Sequence, residues 1–406
     1  MRNKNKWCNQ FKDIKELVKE ITPELIAIRN QIHENPELSL KEYKTCELLE
    51  KYVKENVKYD YLKRVGETGL FIKIKGTKPG KGPTIVFRGD IDALPIQEDP
   101  SMCPCSKVPG VMHACGHDIH GTINCGAAKV LSNMKERFSG SIYFFIQPAE
   151  EILQGAKLFL ADPDIDWENI DAVAALHCSA EINAGTIGVR YGAILASADE
   201  IRIKINGKGG HGAHCHTLKD PVVCSAAVIT ALQTLVSRET NPANSCVLSI
   251  CTIHAGKAHN IVPDSVEMTG TVRTLDPKDR DRMEESFNRV TKAVAQAYRC
   301  EAEVQYIRGV PPFINDDEWV DRAIRAGEKM LGKENVIRLP YAAMGGEDFA
   351  YIKEKKPGVF VRLGSRTPGG PYGSAHSSTW YSDAESVPTG LKVILGIAAD
   401  YLNFEL

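Results

Sequence analysis

The sequence predicts an α/β chain of two domains, one built round a central, mostly parallel sheet and interrupted by a second, smaller α+β domain. Three observations carry that expectation. The chain has 406 residues, more than one ordinary core organises. Short apolar runs at 83–88, 141–147, 171–176 and 358–363 read as buried strands, and helical patterns alternate with them. Between 191 and 309 the order becomes strand, helix, two strands, helix and strand, which is the split βαβ or ferredoxin-like plan. The expected division is therefore 1–190 and 310–406 for the first domain, with 191–309 as the insert.

Composition narrows the partners. With 50 basic and 52 acidic residues the formal net charge is -2, so no broad field draws the chain to nucleic acid or anionic lipid. The longest apolar runs, 142–146 and 172–176, are far below membrane-spanning length. Met1 to Asn9 is polar and basic with no apolar run behind it, which points to a cytoplasmic protein. In that setting the twelve scattered cysteines are expected as reduced thiols.

From the N-terminus, Phe11, Ile14, Leu17, Val18 and Ile21 recur at helical spacing and Leu25, Ile28 and Ile32 continue beyond Pro23, giving an amphipathic helix with a break. His33-Glu34-Asn35-Pro36-Glu37-Leu38-Ser39 stops it, and Ser39 is placed to cap a second helix over 40–53. Strands follow at 69–75 and 83–88, and the second runs into Arg88-Gly89-Asp90-Ile91-Asp92. In extended backbone Asp90 and Asp92 point the same way, so two carboxylates stand together at the end of a strand.

Val111 to His120 crowds one thiol, three imidazoles and a carboxylate beside Gly116. Thiolate and imidazole are both ligands for zinc and related divalent ions, and glycine lets Cys115 and His117 face one ion. Asp92 then suits the orientation of a metal-bound imidazole. Asp90 either shares that task or pairs with Arg88.

A helix over 119–134 and a buried strand over 141–147 lead into Pro148-Ala149-Glu150-Glu151, with a further helix expected over 152–160. Adjacent glutamates at such a turn can diverge, one toward a metal and one toward the water it activates. The next strand ends on His177. Polar residues thus follow three strands at their carboxyl ends, where open α/β sheets build sites. In the insert, Gly207-Lys208-Gly209-Gly210 leads to His211, His214 and His216. Beyond it, His376 follows a buried strand and is the only imidazole in the last 147 residues.

On these residues the chain resembles the M20 metallopeptidase family in its amidohydrolase branch, which includes hippurate hydrolases, N-acyl-amino-acid amidohydrolases, N-acetyldiaminopimelate deacetylases and auxin-conjugate hydrolases. The matching motifs are the His33 to Ser39 segment, Arg88 to Pro95, Pro109 to Asp118, Gln147 to Glu151, His177, Gly207 to His211, Asn260 to Asp264, Gly270 to Thr274, Gly346 to Phe349 and His376. The resemblance implies two divalent metals per subunit, drawn from zinc, manganese, nickel and cobalt. Cys115, His117, Glu151, His177 and His376 resemble their ligands, with Cys115 as a bridge. Glu150 resembles the general base and Asp92 the acid that orients the site. His211, Asn260 and Arg273 resemble residues that stabilise the oxyanion and hold a substrate carboxylate. Homodimers, or higher oligomers, paired through the inserted domain are implied as well.

The implied reaction is hydrolysis of an N-acyl amino acid, N-acetyl or N-benzoyl, to a carboxylic acid and a free amino acid. A metallo-dipeptidase or carboxypeptidase acting on small peptides is the alternative. Peptidase branches place a histidine where Asp90 stands and an aspartate near Cys115, and this chain lacks both. It also departs from the family at Gly212 to His216, at Gly345-Gly346-Glu347-Asp348 and in the extra thiols of Met102-Cys103-Pro104-Cys105. A cysteine hydrolase using Cys115 with His117 leaves Glu150, Glu151, His177 and His376 without a task.

Overall fold

The structure, a computed structural model, describes residues 14–370 and 373–406; Phe11, the first position of the expected N-terminal helix, lies outside them. The chain divides into two compact units. One runs to Gly192 and resumes over Asn315–Pro340 and Tyr351–Leu406; the other comprises Ala193–Ile314 and Tyr341–Ala350.

In the first unit an eight-stranded sheet runs in the order Tyr61–Val65, Gly69–Lys75, Ser141–Gln147, Thr84–Asp90, Ala172–Asn183, Gly358–Arg366, Ile187–Val189, Val336–Arg338. Its four middle members, from Ser141–Gln147 to Gly358–Arg366, are parallel. Thr84–Asp90 and Ser141–Gln147 are buried at every residue. That is why they read as unbroken apolar runs rather than alternating ones. Helix His117–Ser132 is buried at every position but Lys129 and packs with Ile14–Glu34 and Ser386–Leu402 in one core. Asp90 and Gln147 pair in register at the carboxyl ends of their strands, and His177 lies on the next strand.

Local departures from the sequence reading have physical causes. Helix Ile14–Glu34 continues through Pro23, because Leu17, Val18, Ile21, Leu25 and Ile32 bury one face on both sides of it. The second helix starts at Tyr43 rather than at 40, and the Ser39 hydroxyl donates to Asp92 Oδ2 at 2.7 Å instead of capping it. The helix expected over 152–160 begins at Gly155, since Ala149 and Leu153 take left-handed φ of 55° and 57° in a tight turn. Strand Ala172–Asn183 runs on past His177.

The second unit is a four-stranded antiparallel sheet in the order Cys246–Ala255, Ser265–Thr274, Ala198–Asn206, Glu301–Val310. Helices Pro221–Thr234 and Pro277–Ala297 share its core, so the arrangement is ferredoxin-like. Both helices open with an aspartate cap, Asp220 or Asp276, and a first-turn proline. Ile201, Ile203 and Ile205 are buried while their neighbours are less so, the alternation of a sheet with one wet face. With its final π turn the first helix spans Pro221–Glu239, 19 residues long and apolar enough to cross a membrane by length and composition, with a third of that window buried. Val222 and Val223 on it are 43% and 53% exposed.

Candidate metal centre

Gly116 fixes the geometry of the Cys115–His117 turn. Its φ is 83°, and a Cβ there would lie 2.7 Å from the Cys178 Cβ, so no other residue fits without displacement. Cys115 therefore ends a loop and His117 opens a buried helix. His117 Nδ1 lies 3.1 Å from Asp92 Oδ1 and donates its proton there. The other nitrogen, Nε2, is buried without a hydrogen-bond partner, 3.8 Å from Glu151 Oε1 and 3.7 Å from Asp90 Oδ2. In His177, Nδ1–H donates to the Cys178 carbonyl at 2.8 Å, and Nε2 faces Cys115 Sγ at 3.5 Å. His376, at φ 61° and anchored by its N–H to the Ala114 carbonyl, brings Nε2 to 3.4 Å from Glu151 Oε1.

The five residues named for metal binding thus come together. Cys115, Glu151 and His376 place one ligand atom each within 4.8 Å of one another, as do His117, Glu150 and Glu151. Asp90, His117, His120 and His177 form a further group by the same distance. His120 is spoken for within it. Its Nδ1 bonds Asp90 Oδ1, and its Nε2 accepts the Cys178 N–H at 2.8 Å, so it holds the peptide that follows His177.

Asp92 accepts from three sides: Ser39 Oγ at 2.7 Å, the His117 ring at 3.1 Å and the Glu151 N–H at 3.0 Å. One buried carboxylate therefore sets the tautomer of His117 and the backbone of Glu151. Asp90 takes both alternatives left open for it, an ion pair with Arg88 and a position against the histidines. Burial pushes the Asp90 carboxyl up, but Arg88, His117 and His120 hold it well below the usual carboxylate range.

The donor set fits divalent metal. Among the described residues His117 Nε2 and Glu151 Oε1 are buried and without hydrogen-bond partners, and a cation between them would satisfy both. Burial pushes His117 down, yet Asp90, Cys115 and Asp92 together hold its pKa well above the ordinary imidazole value. His376 is raised to about 10, chiefly by the Cys115 thiol and the Glu151 carboxylate beside it. A field that favours positive charge on these rings also favours a cation against their lone pairs. His177 is held well below its usual value by burial and by His120, in the neutral form a metal ligand takes. Thiolate, imidazole and carboxylate together suit zinc and its neighbours.

Behind this lies a buried network that sequence reasoning missed. Asp118, next to His117, is held by Arg29 Nε at 2.7 Å and His33 Nδ1 at 2.8 Å, and His33 Nε2 reaches Glu98 Oε1 at 3.0 Å. His33 stands in the last turn of its helix and is buried, 2% exposed. The signal for this role, a histidine followed by Glu-Asn-Pro, is too short to reveal partners 65 and 85 residues away.

In the second unit His211 and Asn260 are neighbours: Ile261 pairs with His211, and Gly212 N–H donates to the Asn260 carbonyl at 2.9 Å. His211 is exposed and its Nδ1 accepts the Ala213 N–H at 3.1 Å, which leaves the proton on Nε2, ready to donate. Arg273 is half-buried; its Nε donates to Thr271 Oγ1 at 3.0 Å, and among the described residues it has no ion pair. The structure does not bring all three together. Arg273 lies eight residues beyond Ser265 on one strand, roughly 26 Å at the usual rise, while Asn260 precedes the start of that strand.

Residues 86–400 match the model of the family described as Peptidase family M20/M25/M40. N-acetyl-L-cysteine deacetylase of Bacillus subtilis (strain 168) is 39% identical over 345 residues, covering 84% of this chain and 80% of that protein. Thermostable carboxypeptidase 2 of Saccharolobus solfataricus is 36% identical over 395 residues, covering 96% and 98%. Among solved structures, a Bacillus subtilis protein described as a dinuclear metal binding peptidase from the M20 family aligns with a TM-score of 0.83 at 32% identity, over 95% of this chain and 99% of that one. With the family model spanning most of the sequence and relatives of this identity along nearly its whole length, the chain belongs to peptidase family M20/M25/M40.

Proposed function

We propose that the protein is a metal-dependent amidohydrolase that cleaves N-acyl amino acids to a carboxylic acid and a free amino acid. The observation that carries this is the convergence of Cys115, His117, Glu151, His177 and His376, with the Glu150 carboxylate inside the same cluster. The similarity to an N-acetyl-L-cysteine deacetylase supports the substrate class. Two divalent ions, if bound by those five residues, would supply Lewis acidity that lowers the pKa of a water and polarises the acyl carbonyl.

The chain's own groups do the rest. Glu150 takes the proton of the attacking water and passes it to the leaving amine nitrogen. Asp92 keeps His117 and the Glu151 backbone in place while that happens. His211 Nε2–H is an oxyanion donor, with Asn260 beside it. Arg273, with no carboxylate partner of its own among the described residues, grips the substrate carboxylate. A molecule the size of an N-acyl amino acid cannot span from Arg273 to the His211–Asn260 pair, so we assign one of the two sets to a second copy of the chain. A homodimer through the inserted unit agrees with the exposed Val222 and Val223 and with the outer strand Cys246–Ala255, whose Ile253 is 50% exposed.

The second reading, a carboxypeptidase acting on small peptides, has the Saccharolobus similarity in its favour. One screen separates them. N-acetyl-L-cysteine, N-acetyl-L-methionine and N-benzoylglycine are offered beside dipeptides and N-blocked dipeptides, each with and without chelator. Chelator-sensitive turnover that favours the N-acyl amino acids is expected. Turnover of the peptides alone would replace this reading with the second, and chelator-resistant turnover would remove the metal.

A further inference from the structure

Besides Ser39, which donates to Asp92, the segment Glu37 to Glu42 between the first two helices brings Glu42 against the turn that carries Glu150 and Glu151. Glu42 is fully buried. Its Oε1 accepts the Ala149 N–H at 2.9 Å and the Leu40 N–H at 3.0 Å, and its Oε2 accepts from Thr68 Oγ1 at 2.8 Å. Three residues before Glu42, Ser39 supports Asp92, which accepts the Glu151 N–H. The two-residue stretch Glu150-Glu151 is thereby suspended between buried carboxylates, Glu42 on the amide before it and Asp92 on the amide at its end.

The backbone at this turn needs such support. Ala149 and Leu40, the two residues whose N–H groups meet Glu42 Oε1, have φ of 55° and 62°, in the left-handed region that non-glycine residues seldom occupy. Conformations of that kind persist where the surroundings over-determine them, and they gather at functional sites. The Ala149 carbonyl is fixed as well, accepting the N–H groups of Gln154 and Gly155 at 3.1 Å each. Gly155 admits no side chain, since a Cβ would fall 1.8 Å from the Pro148 carbonyl oxygen. Rotation about the Ala149 N–Cα bond would swing the Ala149–Glu150 peptide and with it the Glu150 carboxylate; the Glu42 bond to the Ala149 N–H, on one side of that bond, and the bonds to the Ala149 carbonyl, on the other, oppose it.

We propose that Glu42 is a positioning residue: its carboxylate holds the left-handed Ala149 peptide and so sets the direction of Glu150. This rests on Glu150 being the base of the proposed reaction. The requirement is for an acceptor, because two N–H donors face Oε1, while the hydroxyl of Thr68 at Oε2 can donate or accept. An amide meets the same demand, with its oxygen toward the two N–H groups and its NH2 toward Thr68.

The test uses the full-length, zinc-reconstituted enzyme, with steady-state kinetics on N-acetyl-L-cysteine and N-acetyl-L-methionine and hydrogen exchange of the peptide covering 147–155. Glu42→Leu is expected to lower kcat roughly 100-fold with KM and metal content nearly unchanged, the scale of a small misplacement of a catalytic group. Exchange at 149–151 should quicken in the same variant. Glu42→Gln should restore most of the turnover and the slow exchange. Glu42→Asp, which keeps the charge but withdraws the oxygen, should resemble the leucine variant and serves if that variant does not fold. Folded, metal-loaded Glu42→Leu or Glu42→Asp with wild-type kcat and exchange would overturn the proposal, as would a glutamine variant no better than leucine. Glu150→Gln runs alongside. If it keeps its activity while the Glu42 variants lose exchange protection, the assignment of the base fails and the backbone clamp stands.

Discussion

Around Cys115, polar groups are buried and answered by one another: Asp92, His117 and Asp90 are at most 1% exposed, and each is bonded by partners from separate parts of the chain. In the second unit His211 is exposed and Arg273 half-buried, and among the described residues each side chain is tied by a hydrogen bond to a residue two positions away. The first region is a preorganised centre, in which water has been replaced by fixed dipoles and charges. The second keeps its donors uncommitted, which leaves them available to a ligand. The difference teaches that damage in the first region should reach the chemical step or the metal, while damage in the second should show up as oxyanion stabilisation or substrate affinity.

The largest effect belongs to Glu150. Glu150→Gln preserves size and most packing but cannot accept the proton of the attacking water. Turnover should fall roughly 10²- to 10⁴-fold, the range for loss of general base catalysis, with metal content and melting temperature unchanged. Near-normal kcat in that variant would break the contrast at its strongest point.

Next comes His211. Loss of a single oxyanion donor typically costs roughly 100- to 1,000-fold in kcat, and His211→Ala should fall in that range. Mixing offers a sharper form of the test. If His211 serves the centre of a second copy, subunits exchanged between Glu150→Gln and His211→Ala enzymes form heterodimers with one intact site, and about a quarter of wild-type activity should return under random pairing. If both residues serve one chain, the mixture stays as inactive as its parts.

Asp92→Asn should act on the metal rather than on substrate. The amide still reaches Ser39 and the Glu151 N–H but no longer charges and orients the His117 ring, and lost partners of this kind typically weaken metal affinity by about 10- to 100-fold. Titration with a competing chelator measures it, and KM for substrate should be unaffected in fully loaded enzyme. Wild-type metal affinity would reduce Asp92 to a backbone anchor.

How much of this was legible in the sequence depends on how local each signal is. Cys115, His117 and the Glu150-Glu151 pair announce themselves because their residue types are rare together and their spacing is short. The parallel strands were visible because burial on both faces leaves unbroken apolar runs. Ser39 and Glu42 were not. Ser39 reads as a helix cap and Glu42 falls inside the helix expected over 40–53, and nothing nearby reveals that the bonds go to Asp92 and Ala149, 53 and 107 residues on. His120 sat within the metal motif, and only the hydrogen bonds at both of its nitrogens separate it from the ligands. Asn260 and Arg273 are close in sequence number yet far apart in space, because one extended strand lies between them.

Arg273 gives the smallest expected effect and the most specific one. Burial lowers the pKa of its guanidinium, and its Nε is tied to Thr271, so the side chain is held in one direction before any ligand arrives. Gly346 passes so close that a Cβ there would lie 3.4 Å from Nη1. Hydrogen bonds to charged groups contribute about 1.5–3 kcal/mol, so Arg273→Ala should raise KM for N-acyl amino acids by about 10- to 100-fold. For the matching N-acyl amino acid amides, which lack the free carboxylate, KM should hardly move, and kcat should stay near wild type on both. Arg273→Lys keeps the charge but not the two-pronged geometry, and should recover only part of the loss. Equal losses on acid and amide would mean that Arg273 supports its own strand, and the contrast between a committed centre and uncommitted recognition groups would then rest on His211 and Asn260 alone.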